Sequence, residues 1–406
     1  MQKTEKHIPV LDGVRGLAIA MLLFGHALRG IQLPQTNLAA RLIDSTLGDS
    51  LWTGVDLFFV LSGFLITGIL YDTRESGNYF RAFYMRRFLR IFPLYYGVLF
   101  LLIALSNPLQ FAWGGRQFIY LAYLQNIGLA HHLTDQPLSR LTDISHFWSL
   151  AVEEQFYFVW PAVVFLLKDR RKIMGAAVIL TACSIGLRLV MIAMHVRYEQ
   201  IYIFTPARAD SLMIGALLAL AIRSNQQTQD RVTRVARIML PCCLALLIGI
   251  VWKEGVLFPY SKEVASFGYT IVALASACLI ALSLVTPGLK AVFELPPMRF
   301  LGKYSYGIYV IHFPLLVLVG RLQLVQRLAG PNAGLGPQFL VIGTTVAASI
   351  GLAVLSFHFY EGRFLRLKKY FRYNYPDSPA TGHSRAEDHG VQDEPKDAAS
   401  RALTST

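Results

Sequence analysis

Several stretches of this chain set ionisable or hydrogen-bonding side chains into otherwise apolar sequence. In RGLAIAMLLFGH, Arg15 and His26 stand eleven residues apart. Eleven residues is close to three helical turns, so both side chains share one face, about 16 Å apart along the axis. An imidazole there suits general-base work. A lone histidine near a helix end is more often structural, and sharing a face with a buried arginine shifts the weight toward function. In HFWSLAVEEQFYFVWP, His146, Ser149, Glu153, Tyr157 and Trp160 follow i, i+3, i+7, i+11, i+14, one helical stripe that opens beside Trp148. A carboxylate on such a stripe needs a partner inside the bundle, either for chemistry or for an Arg–Glu pair that only fixes packing. Glu154 lies about 100° off the stripe and has no assigned role.

Three further stretches complete the set. TPARADSLMIG reads as a helix start, with Thr205 as N-cap, Pro206 at the first helical position and Arg208 and Asp210 in the opening turns. Dipole compensation accounts for Asp210 as well as function does. Gly215 and Ala219 form a small-xxx-small pair that permits close helix approach. In LGKYSYGIYVIHFP, His312 sits mid-span with Tyr309 one turn earlier, so it is either a pocket residue or an interhelical hydrogen-bonding group. In YFRAFYMRRFLRIFPLYY, Arg87 and Arg90 can share a helix face. Guanidinium forks hold phosphate well, although anchoring to anionic lipid is the simpler reading.

The elements that must position these residues follow from composition. Of 406 residues, 54% are hydrophobic and only 16% charged, against about 25% charged in an ordinary soluble protein. The chain is therefore expected to be an all-α polytopic membrane bundle. Apolar segments near 9–29, 53–71, 89–106, 147–167, 173–195, 207–222, 237–252, 265–285, 301–320 and 338–359 suit ten transmembrane helices. The run 116–130 is short and interrupted by Gln125 and Asn126, so it reads as re-entrant or interfacial. Cys183, Cys242, Cys243 and Cys278 lie in apolar runs without zinc-ligand spacing, so neither disulfides nor a metal site is expected. The apolar run after MQKTEKHIPVLDG has no cleavage site and reads as a retained first helix.

Charge then orients the bundle. With ten crossings, 24 of the 38 Lys and Arg fall at one face and 10 at the other. The positive-inside rule makes the richer face cytoplasmic and puts both termini there. The net charge of +13 is thus a topology signal, and no nucleic-acid partner is expected. A membrane domain over 1–373 and a disordered cytoplasmic tail over 374–406 complete the expected organisation.

Taken together, LDGVRGLAIAMLLFGH, GVDLFFVLSGFLITGIL, RRFLRIFPLYY, HFWSLAVEEQFYFVWP, ARADSLMIGALLA, LGKYSYGIYVIHFP and FYEGRFL resemble acyltransferase family 3. These are bacterial inner-membrane enzymes that O-acylate surface sugars. The resemblance covers roughly residues 8–370. It implies an acyl-CoA donor, acetyl by default, reached from the cytoplasm, no bound cofactor, and a glycan or glycolipid acceptor reached from outside. It implies that His26 is the general base, with an acyl-histidine intermediate less favoured. Glu153 would orient the imidazole, and Arg15 would guide the donor's pantetheine or acyl carbonyl. Arg87 and Arg90 would hold the donor phosphates, and Ser149, Trp148, His146, Tyr157, Arg208, Asp210, Tyr309 and His312 would line the substrate sites. Some relatives carry an appended extracytoplasmic domain, and the length of this chain suggests a stand-alone enzyme. The rival class is a secondary transporter, which also buries Arg, His and Glu, but the chain shows no inverted repeat or matched pair of broken helices. Oligomeric state is not legible.

Overall fold

A computed structural model describes residues 8–31, 48–113, 117–130, 139–330 and 334–375. Among these, ten helices are long and apolar enough to cross a membrane, so the chain is a multi-pass, all-α membrane protein. They are α1 (Pro9–Arg29), α2 (Thr53–Thr73), α3 (Tyr79–Ala104), α4 (Trp148–Leu167), α5 (Arg170–Ala193), α6 (Thr205–Ile222), α7 (Gln226–Glu254), α8 (Tyr269–Val285), α9 (Pro296–Arg321) and α10 (Leu335–Ser356). A 3-10 turn, Ser145–Phe147, leads into α4, and a π turn, Val264–Gly268, leads into α8. The helix starts are set locally. Proline occupies the first turn of α1, α6 and α9, where its missing N–H costs nothing. The Asp169 carboxylate caps α5 by accepting from the backbone N–H of Arg171 and Lys172. The outward side chains are those that lipid tolerates: Phe158, Leu166 and Trp252 are 75%, 77% and 90% exposed.

The ten expected spans are all present, and the departures have simple causes. α3 begins ten residues before its expected start, so Arg81, Arg86, Arg87 and Arg90 lie on a helix rather than in a loop. Hydropathy locates the apolar part of a helix and not its basic first turns, whose long side chains can reach out to polar surroundings. The run 116–130 holds two short helices, Gln117–Leu121 and Gln125–Ala130. They are broken at Tyr123, whose φ of 54° is left-handed, and neither is long enough to cross. Thr205 is not the cap of α6: Phe204 holds that position. The Thr205 hydroxyl instead donates to Gln155 Oε1 at 2.6 Å and accepts from Asn126 Nδ2 at 2.7 Å. The tail beyond residue 375 lies outside the described residues.

Two backbone contacts organise the bundle. α1 and α9 run side by side in the same direction, so close that a Cβ on Gly302 would overlap the carbonyl oxygen of Asp12 and one on Gly16 that of Met298. α2 and α6 meet in the same way, with Gly215 against the Val60 carbonyl and Gly63 against that of Leu212. Ala219, the other small residue of the expected pair, is fully buried.

Buried charge ties α2, α5, α6 and α8 together. Arg208 reaches Asp56 at 2.6 Å, and Arg188 reaches Asp210 at 2.9 Å, all four side chains fully buried. The Ser211 hydroxyl donates to Asp56 and that of Thr270 to Asp210. The Arg208 guanidinium also lies 4.1 Å from the centre of the Tyr269 ring. Asp210 therefore serves an interhelical ion pair, not merely a helix dipole.

Removing one member of such a pair strands the other charge, at a cost of about 3–5 kcal/mol. Asp56→Asn is expected to lower Tm in detergent sharply or abolish recovery of folded protein. A Tm equal to that of the parent would show that the pair carries no structural weight. Gly302→Val forces α1 away from α9 and is expected to cost at least about 1–3 kcal/mol, read in the same thermal assay.

Candidate active site

The α1–α9 contact brings together two histidines that are 286 residues apart in sequence: His26 Nδ1 lies 2.9 Å from His312 Nε2. Their rings stack, with centroids 5.1 Å apart. The protons can be assigned from the surrounding carbonyls. His312 Nδ1 lies 2.9 Å from the carbonyl oxygens of both Ile308 and Tyr309. Carbonyls only accept, so Nδ1 carries the proton and Nε2 of the neutral ring accepts. His26 Nδ1 must then donate to it, which leaves the lone pair on His26 Nε2. A histidine so held is pre-set as a base.

His146 completes a cluster of three imidazoles, its ring centroid 5.7 Å from that of His312. Its Nε2 donates to the Tyr309 carbonyl at 3.0 Å. The Tyr309 hydroxyl returns the contact by donating to the His146 carbonyl at 2.8 Å. Having given its one proton, that hydroxyl accepts from Ser149 Oγ. α4 and α9 are thus fastened to each other beside the histidine pair.

Two cavities meet at this cluster. The larger, about 690 Å³, is lined by His26, His146, Trp148, Tyr202 and Tyr260. Tyr202 lies outside the spans, on the short helix Tyr198–Ile203. Burial raises its phenol well above the ordinary value, against the pull of Arg208; burial raises Tyr260 as well. Both therefore present neutral hydroxyls at ordinary pH, fit to exchange hydrogen bonds with a polyol. The second cavity, about 110 Å³, is narrow, and Arg15, Arg87, Arg90, Glu153 and Tyr157 lie on its wall. Val55 and Tyr309 line both cavities. Arg15 and His26, on one face of α1, thus open into different chambers.

The expected residues divide accordingly. His26, His146 and Trp148 line the larger chamber, Arg15, Arg87, Arg90, Ser149, Glu153 and Tyr157 the narrow one, and Tyr309 both. Arg15 pairs with Asp12 at 2.9 Å. Arg87 lies 5.8 Å from the centre of the Tyr157 ring. Glu153 differs from expectation. Its carboxylate accepts from Ser62 Oγ at 2.6 Å and from the Tyr157 hydroxyl at 3.3 Å. Among the described residues, the hydrogen-bond partner of His26 is His312, not Glu153. Arg208 and Asp210 sit in the buried ion pairs and belong to neither chamber lining. Their first-turn position was legible in the sequence, but the opposite charges on other helices were not.

Sequence reasoning did not single out Asp56, Ser62, Tyr202 or Tyr260. Asp56 was visible as a lone carboxylate in GVDLFFVLSG. Ser62, six residues on, had no signal that would link it to Glu153. Glu154, unassigned from the stripe, lines the narrow chamber beside Glu153. Among the described residues, no group of His, Cys, Asp and Glu is arranged to hold a metal ion, and the four cysteines are free thiols.

The peptidoglycan O-acetyltransferase OatA of Listeria monocytogenes is 27% identical over 377 residues, which cover 88% of this chain and 56% of that protein. The O-acetyltransferase OatA of Staphylococcus aureus is 26% identical over 344 residues, covering 78% and 52%. YrhL of Bacillus subtilis is 28% identical over 387 residues, covering 88% and 55%. The chain spans about half the length of the curated relatives it matches. No solved structure matches. A family model described as an acyltransferase domain matches residues 8–356, most of the chain, and the chain therefore belongs to acyltransferase family 3.

Proposed function

We propose that this protein is a membrane O-acetyltransferase that moves an acetyl group from acetyl-CoA, taken up at the basic face, to a hydroxyl of a glycan held in the larger chamber. The observation that carries this reading is the pair of chambers that share Val55 and Tyr309 in their linings, with Arg15 in one and the His26 base in the other. The narrow chamber suits a thin pantetheine arm with arginines at its mouth to meet phosphates. The larger chamber, rimmed by aromatic rings and neutral phenols, suits a sugar. All three relatives are named as O-acetyltransferases, two of them for peptidoglycan, so a peptidoglycan-type acceptor is the first to test. The positive-inside rule orients the basic face to the cytoplasm of a bacterial inner membrane.

The chemistry follows from the tautomers. His26 Nε2 takes the proton of the acceptor hydroxyl as its oxygen attacks the thioester carbonyl. The carbon–sulfur bond breaks, the CoA thiolate leaves, and the imidazolium returns the proton to the thiolate. His312 is a positioning residue here: its accepting Nε2 holds His26 in the reactive tautomer, the part that a carboxylate plays in a hydrolase triad. Glu153, bound to Ser62 and Tyr157, lies on the wall it shares with Arg15 and Arg87. A transporter has less support, since two distinct chambers with different linings meet at Val55 and Tyr309 in place of one central site.

The test is transfer of radiolabelled acetyl from acetyl-CoA to a peptidoglycan fragment by purified protein in nanodiscs. His26→Ala is expected to lower kcat by about 10²–10⁴-fold. His312→Ala should fall between that variant and the parent, with the donor KM unchanged. Full turnover by His26→Ala would refute the mechanism. Arg87→Ala and Arg90→Ala are each expected to raise the donor KM, and an unchanged KM returns them to lipid anchoring. Glycan flux in proteoliposomes without acetyl-CoA would favour the transporter.

A further inference from the structure

Beyond the narrow chamber the structure opens into a wider basic vestibule, about 370 Å³ in volume, at the mouths of α1, α3 and α9. It shares Arg15, Arg87 and Arg90 with the narrow chamber and adds Arg86, Lys303 and Lys368. Asp12 lies on the same lining and pairs with Arg15. A hollow lined by six basic side chains favours a polyanionic ligand.

One wall of the vestibule is a strap formed by residues 367–375, past the end of the family match at residue 356. The strap is fastened to the start of α3. Gly77 N–H donates to the Asn374 carbonyl at 3.0 Å, and Asn374 N–H donates to Asn78 Oδ1 at 3.0 Å. Asn78 Nδ2 donates in turn to the Arg372 carbonyl at 2.8 Å. Arg81 lies 6.0 Å from the centre of the Phe371 ring and Arg86 5.9 Å from that of Tyr373. These contacts hold Tyr373 and Lys368 at the vestibule wall rather than leaving them in solvent.

We infer that this strap completes the donor site, with Tyr373 stacking on the adenine of CoA and Lys368 and Lys303 holding its 3′-phosphate. The inference rests on the acyl-CoA reading above and names the residues for the part of the donor which that reading left unplaced. CoA has a thin pantetheine arm, a diphosphate and a 3′-phosphorylated nucleoside, in that order. The structure offers a thin chamber, arginines at its mouth, and then lysines with an aromatic ring, in the same order. Arginine forks suit the diphosphate at the narrowing, and lysine point charges suit the outer monophosphate. The phosphate of an anionic lipid would meet the same lysines but has no base to place against Tyr373.

Equilibrium binding of acetyl-CoA and of acetyl-dephospho-CoA to the full chain tests this. The protein is placed in nanodiscs of phosphatidylcholine alone and in others with phosphatidylglycerol. The parent protein is expected to bind acetyl-CoA about 10-fold more tightly than the dephospho form. Lys303→Ala combined with Lys368→Ala should erase that ratio in both lipids. Tyr373→Ala should weaken both donors about 10-fold, and Tyr373→Phe should restore binding. Because the readout is a ratio within the folded fraction, poor folding does not imitate it. Parent-like ratios and affinities in every strap variant would overturn the inference while leaving the acyl-CoA reading intact, as would a dependence seen only with phosphatidylglycerol. A parent protein that binds neither donor would sink both.

Discussion

The structure depends on one close approach, that of α1 to α9. Where Gly302 faces the Asp12 carbonyl there is no room for a single methyl group, so the two backbones are locked in register at that end. With the register fixed there, parallel helices carry it along their length to His26 and His312 at the other end. A hydrogen bond of 2.9 Å between two imidazoles tolerates little sliding. The site is thus aligned by backbone shape, well away from the reacting nitrogen.

The second frame is electrostatic. Asp56–Arg208 and Arg188–Asp210 are fully buried and contribute little net stability by themselves. Their value is geometric: in an apolar surround each charge has one acceptable partner, so α2, α5, α6 and α8 have one acceptable arrangement. The inner wall of the larger chamber is built on that arrangement, because Tyr202 and Tyr269 both flank Arg208. The protein keeps these structural charges apart from Arg15, Arg87 and Arg90, which remain on cavity walls where a ligand can reach them.

Much of this was legible in the sequence because the bilayer simplifies reading. All ten spans follow from apolar length alone, and the placing of Arg15 and His26 in different chambers follows from eleven residues of helix. The start of α3 was not legible, because arginines placed before an apolar run look like a loop to any hydropathy argument. The His26–His312 pair was not legible either. Both residues stood out as buried imidazoles, but nothing local reports a partner 286 positions away, and a carboxylate with a clear stripe, Glu153, looked the better candidate. Ser62 and Tyr157 took that carboxylate, which only the packing of α2 against α4 could reveal.

Val55 and Tyr309 have a consequence that reaches beyond catalysis. Chambers that lie end to end along α1 and meet at a pair of side chains come close to forming a water-filled pore. A membrane under voltage loses energy through any such pore, about 2.3 kcal/mol for each charge that crosses 100 mV. The Tyr309 hydroxyl is already committed to Ser149 and to the His146 carbonyl, so it is poorly placed to join a chain of waters that would relay protons. The same phenol that lines both chambers thus acts as electrical insulation.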